Sequence, residues 1–462
     1  MKQCIRKLVL ECCQKMKTSY VETQNNKSYL KLSTKSGKVL SILQTFCYLY
    51  KSFNHTSNFQ PMKLPKTLIK RDRYIQRIMP FMRKSIIKVL TGQRRVGKSF
   101  LLYQLMEQIM GEEPDANIIY INLEDFAFNS IQTAEDLHTY LQSHCRENER
   151  NYIFIDEIQE IKEFEKVIRS LSLNEDNDIY ITGSNGKMLS GELATFLSGR
   201  YVEFKIYSLS YTEFLQFHRL EDSDRSLNLY SRYGGLPYLI NLPLEDETVN
   251  EYLKSVYSTI VFRDVVSRYN LRNTLFLEKF IQFLSENIGS LFSAKNISDY
   301  LKSQHSTISV NQIQNYTEYL HSAFLIHRVE RYDIIGKRIF EIGEKYYFEN
   351  LGIRNIVVGY RIMDKGKILE NLVYNHLLYK GYEVKVGYYG DKEIDFIGER
   401  NNEKIYVQVA LKIDNEKTVE REFGNLLKVP DNYPKLVVTE DSFHGNSYEG
   451  IQCCSVREFL KS

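Results

Sequence analysis

The sequence predicts an α/β protein whose first half is a five-stranded parallel sheet carrying a phosphate-binding loop, followed by a helical region and a smaller α/β unit. Three observations predict it. Five short apolar runs lie between residues 86 and 207, continuous rather than alternating, as strands buried on both faces of a parallel sheet require. Amphipathic stretches with helical spacing separate them. Between the first run and the first such stretch stands the octet Gly92-Gln93-Arg94-Arg95-Val96-Gly97-Lys98-Ser99, which fits G-x-x-x-x-G-K-[ST].

The chain has 462 residues, more than one hydrophobic core normally covers, so two or three domains are expected. With 43% apolar and 26% charged residues it has the composition of a globular protein, and a net charge of +3 by itself points to neither nucleic acid nor membrane. Residues 1–61 differ from the rest. They hold Cys4, Cys12, Cys13 and Cys47 without metal-ligand spacing, are dense in Ser, Thr, Asn and Lys, and lack a clear period. Two readings stand for this segment: an appendage, or an over-extended reading frame ahead of a natural start at Met62. The apolar run near the amino terminus stops at Glu11, too short for a signal peptide, and the run 39–50 is too short and too polar to span a bilayer. A cytoplasmic protein without membrane partners is expected.

The strand candidates are 86–90, 117–122, 152–156, 178–182 and 201–207. Residues 100–110 place Leu101, Leu102, Leu105, Met106 and Ile109 on one side of a helix. After about residue 209 helices take over. The stretch 275–345 has the pattern of a winged helix, with helices at 276–288, 294–302 and 310–323 and alternating apolar residues over 324–340, around Gly336, Lys337 and Arg338, for a two-stranded wing. A last unit has a helix at 369–380 and strands at 383–388, 393–398 and 405–412. The domains are therefore 1–61, 62–210, 211–274 (a helical linker or lid), 275–345 and 346–462.

In the octet, Gly92 and Gly97 let the backbone curl so that its N–H groups face phosphate oxygens, and the following helix aims its positive dipole at the same anion. Lys98 offsets charge on the β- and γ-phosphates, and Ser99 offers a hydroxyl to Mg²⁺. Gln93, Arg94, Arg95, Val96 and Phe100 complete the nucleotide-binding set. Downstream, a buried strand ends in Asp156 and Glu157. Asp156 would hold Mg²⁺ through water, and Glu157 would orient and polarise the attacking water. The next strand ends in Ile-Thr-Gly-Ser-Asn, where Asn185, with Ser184 second, is expected to meet the γ-phosphate or that water. Arg200, in Leu-Ser-Gly-Arg just before the fifth strand, could reach a neighbouring subunit's nucleotide or be an ordinary surface arginine. The expected cofactors are ATP and Mg²⁺, and a homo-oligomer would give Arg200 its catalytic role.

These residues in this order resemble an AAA+ ATPase, and more closely the bacterial and archaeal ATP-binding proteins that join an AAA domain to a carboxy-terminal domain of unknown function. The resemblance is carried by GQRRVGKS, FIDEIQEI, TGSNGKMLS, LSGRYVEF, SLSYTEF, YGGLPYL, FRDVVSRY, KYYFENLGIRN, ILENLVYNHL and EIDF, from about Met62 to the last residues. It implies the sheet order 5-1-4-3-2 and puts Arg200 at the arginine-finger location.

The last unit resembles a PD-(D/E)xK restriction-endonuclease-like core, with Glu370 on its helix and Asp395 on its second strand. The family's acid and lysine of the next strand are here Gln408 and Ala410, while strand alternation puts Lys412 on the same face. The loss of one carboxylate favours a degenerate, nucleic-acid-binding or scaffolding site over a working nuclease. DNA is the partner this region suggests, with Asn311, Gln312, Gln314 and Asn315 on the recognition helix and Lys337 and Arg338 on the wing. An ATP-driven switch or motor is the leading expectation; a nucleotide-latched regulatory protein and an ATP-gated nuclease are the alternatives.

Overall fold

Local sequence sets the element ends. Thr133 accepts a bond from the Asp136 backbone N–H while the Asp136 carboxylate reaches back, a reciprocal cap that starts the helix Ala134–His144; Ser210 and Glu213 start Tyr211–His218 in the same way. In the computed structural model, residues 65, 68–186, 197, 199–306, 308–334, 343–390, 392–413, 415–440 and 447–462 are described. The expectations for residues 1–61 and for Gly336, Lys337 and Arg338 of the wing lie outside them.

Elements are labelled in chain order over the described residues. The amino half contains α1 (Asp72–Ile78), β1 (Ile87–Thr91), α2 (Lys98–Glu112), β2 (Asn117–Asn122), α3 (Ala134–His144), β3 (Asn151–Asp156), α4 (Phe164–Leu171), β4 (Asn177–Gly183) and β5 (Tyr201–Lys205). All four pairings between its five strands are parallel, in the order β2-β3-β4-β1-β5, which is the expected 5-1-4-3-2 viewed from the other edge. Strand β5 stops at Lys205 rather than at Tyr207. Ile206 still donates to the Thr91 carbonyl, but the Tyr207 N–H turns to the Tyr74 hydroxyl on α1. One face of the sheet packs Ile87, Val89, Ile119, Ile153 and Ile179 against Leu137 and Leu141 of α3 and Val167 and Ile168 of α4. Each such side chain contributes roughly 1.5–3 kcal/mol by leaving water.

A charge sits inside this core. Lys88 in β1 is 0% exposed and pairs with Asp178 in β4, its ammonium 4.4 Å from the Tyr180 ring centre. Asp178 also accepts from the Arg83 N–H at 2.8 Å and the Tyr180 hydroxyl at 2.9 Å. Every charged and polar atom brought in by the pair thus meets a partner, the condition under which a buried ion pair is tolerated.

The second half contains α5 (Tyr211–His218), α6 (Asp224–Tyr233), α7 (Asp246–Thr259), α8 (Thr274–Glu286), α9 (Ala294–Ser303), α10 (Val310–Ser322), β6 (Ile326–Asp333), β7 (Glu344–Phe348), α11 (Leu351–Val358), α12 (Lys365–Tyr379), β8 (Glu383–Tyr389), β9 (Lys392–Arg400), β10 (Glu403–Ala410), α13 (Glu416–Leu427), β11 (Lys435–Thr439), β12 (Ser447–Tyr448), β13 (Ile451–Ser455) and α14 (Val456–Lys461). After α7 the chain continues as a π-helix over Ile260–Ser267. The strands form one sheet in the order β12-β13-β11-β10-β9-β8-β6-β7.

Strand β6 is the hinge of this arrangement. Its first part, Ile326–Glu330, pairs antiparallel with β7, and its last residues, Arg331–Asp333, pair parallel with β8. Strand β6 lies within the stretch 324–340 expected to form a wing, residues 335–340 of which lie outside the described residues, and the expected boundary between 345 and 346 falls inside its antiparallel partner β7. The two stretches on either side of it share one hydrogen-bonded sheet.

Candidate nucleotide-binding site

The phosphate loop follows β1 and runs into α2. Gly92 has φ +150°, and a Cβ there would lie 2.0 Å from the Ile206 carbonyl oxygen, so only glycine fits; Gly97 ends the loop at φ +96°. Arg95 between them is in the left-handed region at φ +72° and is exposed. The loop is braced from behind. Arg71 donates to the Val96 carbonyl at 3.0 Å and is itself fixed by two bonds, of 2.9 and 2.8 Å, to the Glu213 carboxylate. Inside the loop, the Lys98 ammonium donates to the carbonyls of Gly92 (3.0 Å) and Gln93 (3.1 Å) and lies 3.8 Å from the Glu157 carboxylate.

Opposite the loop, the two acids end β3. Asp156 is buried and shares hydrogen bonds with the hydroxyls of Ser99 and Thr182, while the Tyr120 hydroxyl donates to it at 3.3 Å. Burial pushes its carboxyl above the usual range, opposed by the bonds to Ser99 and Thr182. Glu157 takes the left-handed conformation at φ 56°, and its N–H donates to the Thr182 hydroxyl at 2.9 Å. Burial also opposes charge on Glu157, but Lys98, then Gln159, then Arg94 outweigh it and hold the carboxyl below its ordinary value. Glu157 is thus an ionised, positioned acceptor. Ser99 and Asp156 bring two hard oxygen donors together beside the loop, a donor set that fits Mg²⁺.

Ser184, fully buried after β4, receives a 3.3 Å bond from the Gln159 amide and bonds to Glu157. Asn185 is buried beside it. Arg200 is exposed and directly precedes Tyr201, which pairs with Ile87 at the amino end of β1. It therefore sits at the end of the sheet opposite the phosphate loop. Phe100 is half exposed in the first turn of α2, edge-on to Tyr103. The side chains of Gln93 and Arg94 turn away from the loop. The Gln93 amide donates to the Phe324 carbonyl at 2.8 Å, and Arg94 makes two 3.0 Å bonds to Asp264 in the π-helix and one of 2.8 Å to Glu124. Arg263 pairs with the same Glu124 and with Glu160.

Thr182, Tyr120, Gln159 and Asp264 were not among the sequence-expected residues. Thr182 was the most accessible of them, since it lies in the same Ile-Thr-Gly-Ser-Asn run as Asn185.

In the carboxy-terminal sheet, Glu370 of α12, Asp395 of β9 and Gln408 of β10 do come together, and Glu393 joins them. The Asp395 N–H donates to the Gln408 amide oxygen at 3.3 Å, and Asp395 accepts from the Val409 N–H at 2.8 Å. Lys412 lies two residues past the end of β10 and is exposed, because that strand stops at Ala410. The ammonium among the carboxylates belongs to Lys345 of β7.

Comparison with known proteins agrees with this architecture. Residues 84–215 match the model of an AAA domain, residues 224–362 a domain of unknown function (DUF8612), and residues 365–459 another (DUF4143). An uncharacterized protein of Haemophilus influenzae is 36% identical over 404 residues, covering 86% of this chain and 100% of the relative. An uncharacterized protein of Methanocaldococcus jannaschii is 31% identical over 352 residues, covering 73% of this chain and 77% of the relative. Among solved structures, the Aeropyrum pernix ORC1 protein in complex with DNA matches with a TM-score of 0.30 and 15% identity over 64% of this chain and 94% of that one. Among the described residues, no helix is long and apolar enough to cross a membrane. A phosphate loop, paired acids at the end of β3 and the sheet order β2-β3-β4-β1-β5, together with the relative matched along its whole length, make this chain a member of the AAA+ family of ATP-binding proteins that carry carboxy-terminal domains of unknown function.

Proposed function

We propose that the chain hydrolyses ATP at this site and passes the nucleotide state to its carboxy-terminal half. The observation that carries the reading is Glu157, held ionised between Lys98 and Gln159, with its backbone fixed by the same Thr182 hydroxyl that bonds Asp156. Lys98 would exchange its two loop carbonyls for phosphate oxygens, stabilising charge on the transferred group. Glu157 would accept a hydrogen bond from the attacking water and hold it in line with the γ-phosphorus, with Ser184 and Asn185 beside it. Mg²⁺, held by Ser99 and by Asp156 through water, would supply neutralisation of the β- and γ-phosphate charge.

The route outward begins in the loop itself. Gln93 reaches Phe324, at the start of the chain leading into β6, and Arg94 reaches Asp264. A loop that shifts on taking up phosphate would move both contacts. DNA is the proposed partner of the second half, because α10 exposes the amides of Asn311, Gln314 and Asn315, groups able to read base edges. A homo-oligomer would let Arg200 act on a neighbour's nucleotide.

The test is direct. Lys98→Ala should lose tight ATP binding, and Glu157→Gln should keep it while slowing turnover by about 10²-fold or more. ATPase rates with and without duplex and single-stranded DNA then test the coupling. Wild-type turnover in Glu157→Gln would remove the assigned base, and rates indifferent to DNA would remove the proposed partner.

A further inference from the structure

The nuclease-like resemblance of the last unit implies a divalent metal held by Glu370, Asp395 and an acid on β10, and the residues present do not fit one. Gln408 brings an amide where the acid is expected, and its oxygen is committed to the Asp395 backbone N–H. Among the described residues, no group of three or more His, Cys, Asp or Glu has an arrangement that could hold a metal ion. We propose that Lys345 is the resident cation of this cluster: its ammonium takes the place of the metal, closes the site to divalent ions, and makes the former catalytic centre a strut between β7, β9 and α12.

The geometry is that of a cation site filled from within. Lys345 is 3% exposed. Its ammonium lies 2.8 Å from Glu393, 3.1 Å from Glu370 and 4.0 Å from Asp395, so one charge from β7 faces carboxylates from a helix and from the neighbouring part of the sheet. An ammonium has three donors and no acceptor, a match for carboxylate oxygens at hydrogen-bond distance. Mg²⁺ needs oxygens at about 2.0–2.1 Å in a near-octahedral shell, and it could enter only by expelling a like charge from the same space. Two further donors hold the acids in place: the Tyr347 hydroxyl donates to Glu370 at 2.5 Å, and the Val409 N–H donates to Asp395 at 2.8 Å. Gly289 covers the cluster so closely that a Cβ there would lie 3.0 Å from both Glu370 carboxylate oxygens.

Protonation fits the same assignment. Burial pulls the Lys345 ammonium towards neutrality, but Glu370, Asp395 and Glu393 together outweigh it and raise its pKa, so it stays charged. Burial, and then Glu370, push the Asp395 carboxyl well above the ordinary range.

The experiment uses the full chain without nucleotide and titrates Mn²⁺ alone, reading free Mn²⁺ by electron paramagnetic resonance. Wild type and Asp395→Asn should bind Mn²⁺ identically, because the cluster contributes no site. Lys345→Met should gain one Mn²⁺ site per chain that wild type lacks, and Lys345→Met/Asp395→Asn should lose it again. A drop in Mn²⁺ binding on making Asp395→Asn in the wild-type background would overturn the proposal, as would a folded Lys345→Met chain that gains nothing. Should Lys345→Met not fold, reductive methylation of wild type decides alone: Lys345 should stay unmodified with or without millimolar Mn²⁺, and labelling that appears on adding the metal would mean the ion displaces it.

Discussion

Thr182→Val is the sharpest probe of the proposed hydrolytic site, because the shape is kept while a single hydroxyl serving both acids disappears. That hydroxyl donates to Asp156 and accepts from the Glu157 N–H at 2.9 Å. A hydrogen bond to a charged group is worth about 1.5–3 kcal/mol, and an orphaned buried N–H costs about 1–3 kcal/mol. At 1.36 kcal/mol per pKa unit, losing the first bond should raise the Asp156 pKa by about one to two units. The sign follows from its role. Burial already raises this carboxyl, and metal binding needs it ionised, so activity is present above its pKa and fails as pH falls through it. The acid limb of kcat/KM for ATP should therefore move up by about one to two pH units in Thr182→Val, and Thr182→Ser, which restores the hydroxyl, should move it back. Rates are measured from pH 5 to 9, with thermal unfolding of each variant recorded alongside. A folded Thr182→Val chain with an unmoved acid limb would refute the shared-hydroxyl account.

Two further outcomes are expected. Asp178→Ala, which strands the fully buried Lys88 ammonium, should cost about 3–5 kcal/mol in denaturant unfolding, whereas Lys88→Met/Asp178→Leu should lie within about 1–2 kcal/mol of wild type or above it; equal losses in the two would refute the stranded-charge account. Arg200→Ala should bind ATP but not turn it over, and mixing it with Glu157→Gln chains should return part of the activity through interfaces that hold both intact residues; normal turnover of Arg200→Ala alone would make it a surface arginine.

The phosphate loop and its acids were legible because their chemistry is local. Eight consecutive residues make the cradle, and an apolar strand ending in Asp156 and Glu157 announces itself through burial and charge side by side. The sheet order was not local, and came only through resemblance. Thr182 was hidden by its neighbours: in a run of threonine, glycine, serine and asparagine, nothing in the chain says which hydroxyl turns toward β3. Lys345 was hidden more deeply. It sits in a Lys-Tyr-Tyr-Phe strand, 25 residues before Glu370 in the chain, and the bond between them depends on how β7 lies against α12. Lys412 was chosen instead because strand alternation was extended past Ala410, where the backbone pairing with β11 ends at Thr439. The pairing of β6 with both β7 and β8 was hidden for a related reason, since which strands it joins is decided by the sheet and not by its own alternation.

Because β6 belongs to both neighbours, the carboxy-terminal unit is not a cassette. A fragment beginning at residue 346 would start in the middle of β7, lose β6 altogether, and leave the edge of β8 with open backbone groups where Arg331, Tyr332 and Asp333 had paired, a template for association with other chains. It would also lack Lys345, so Glu370, Glu393 and Asp395 would be left facing one another without the cation they enclose. Recombination or proteolysis that separates the halves at this point would thus expose an adhesive strand and an uncompensated acidic pocket together, a reason for evolution to keep the two stretches in one piece.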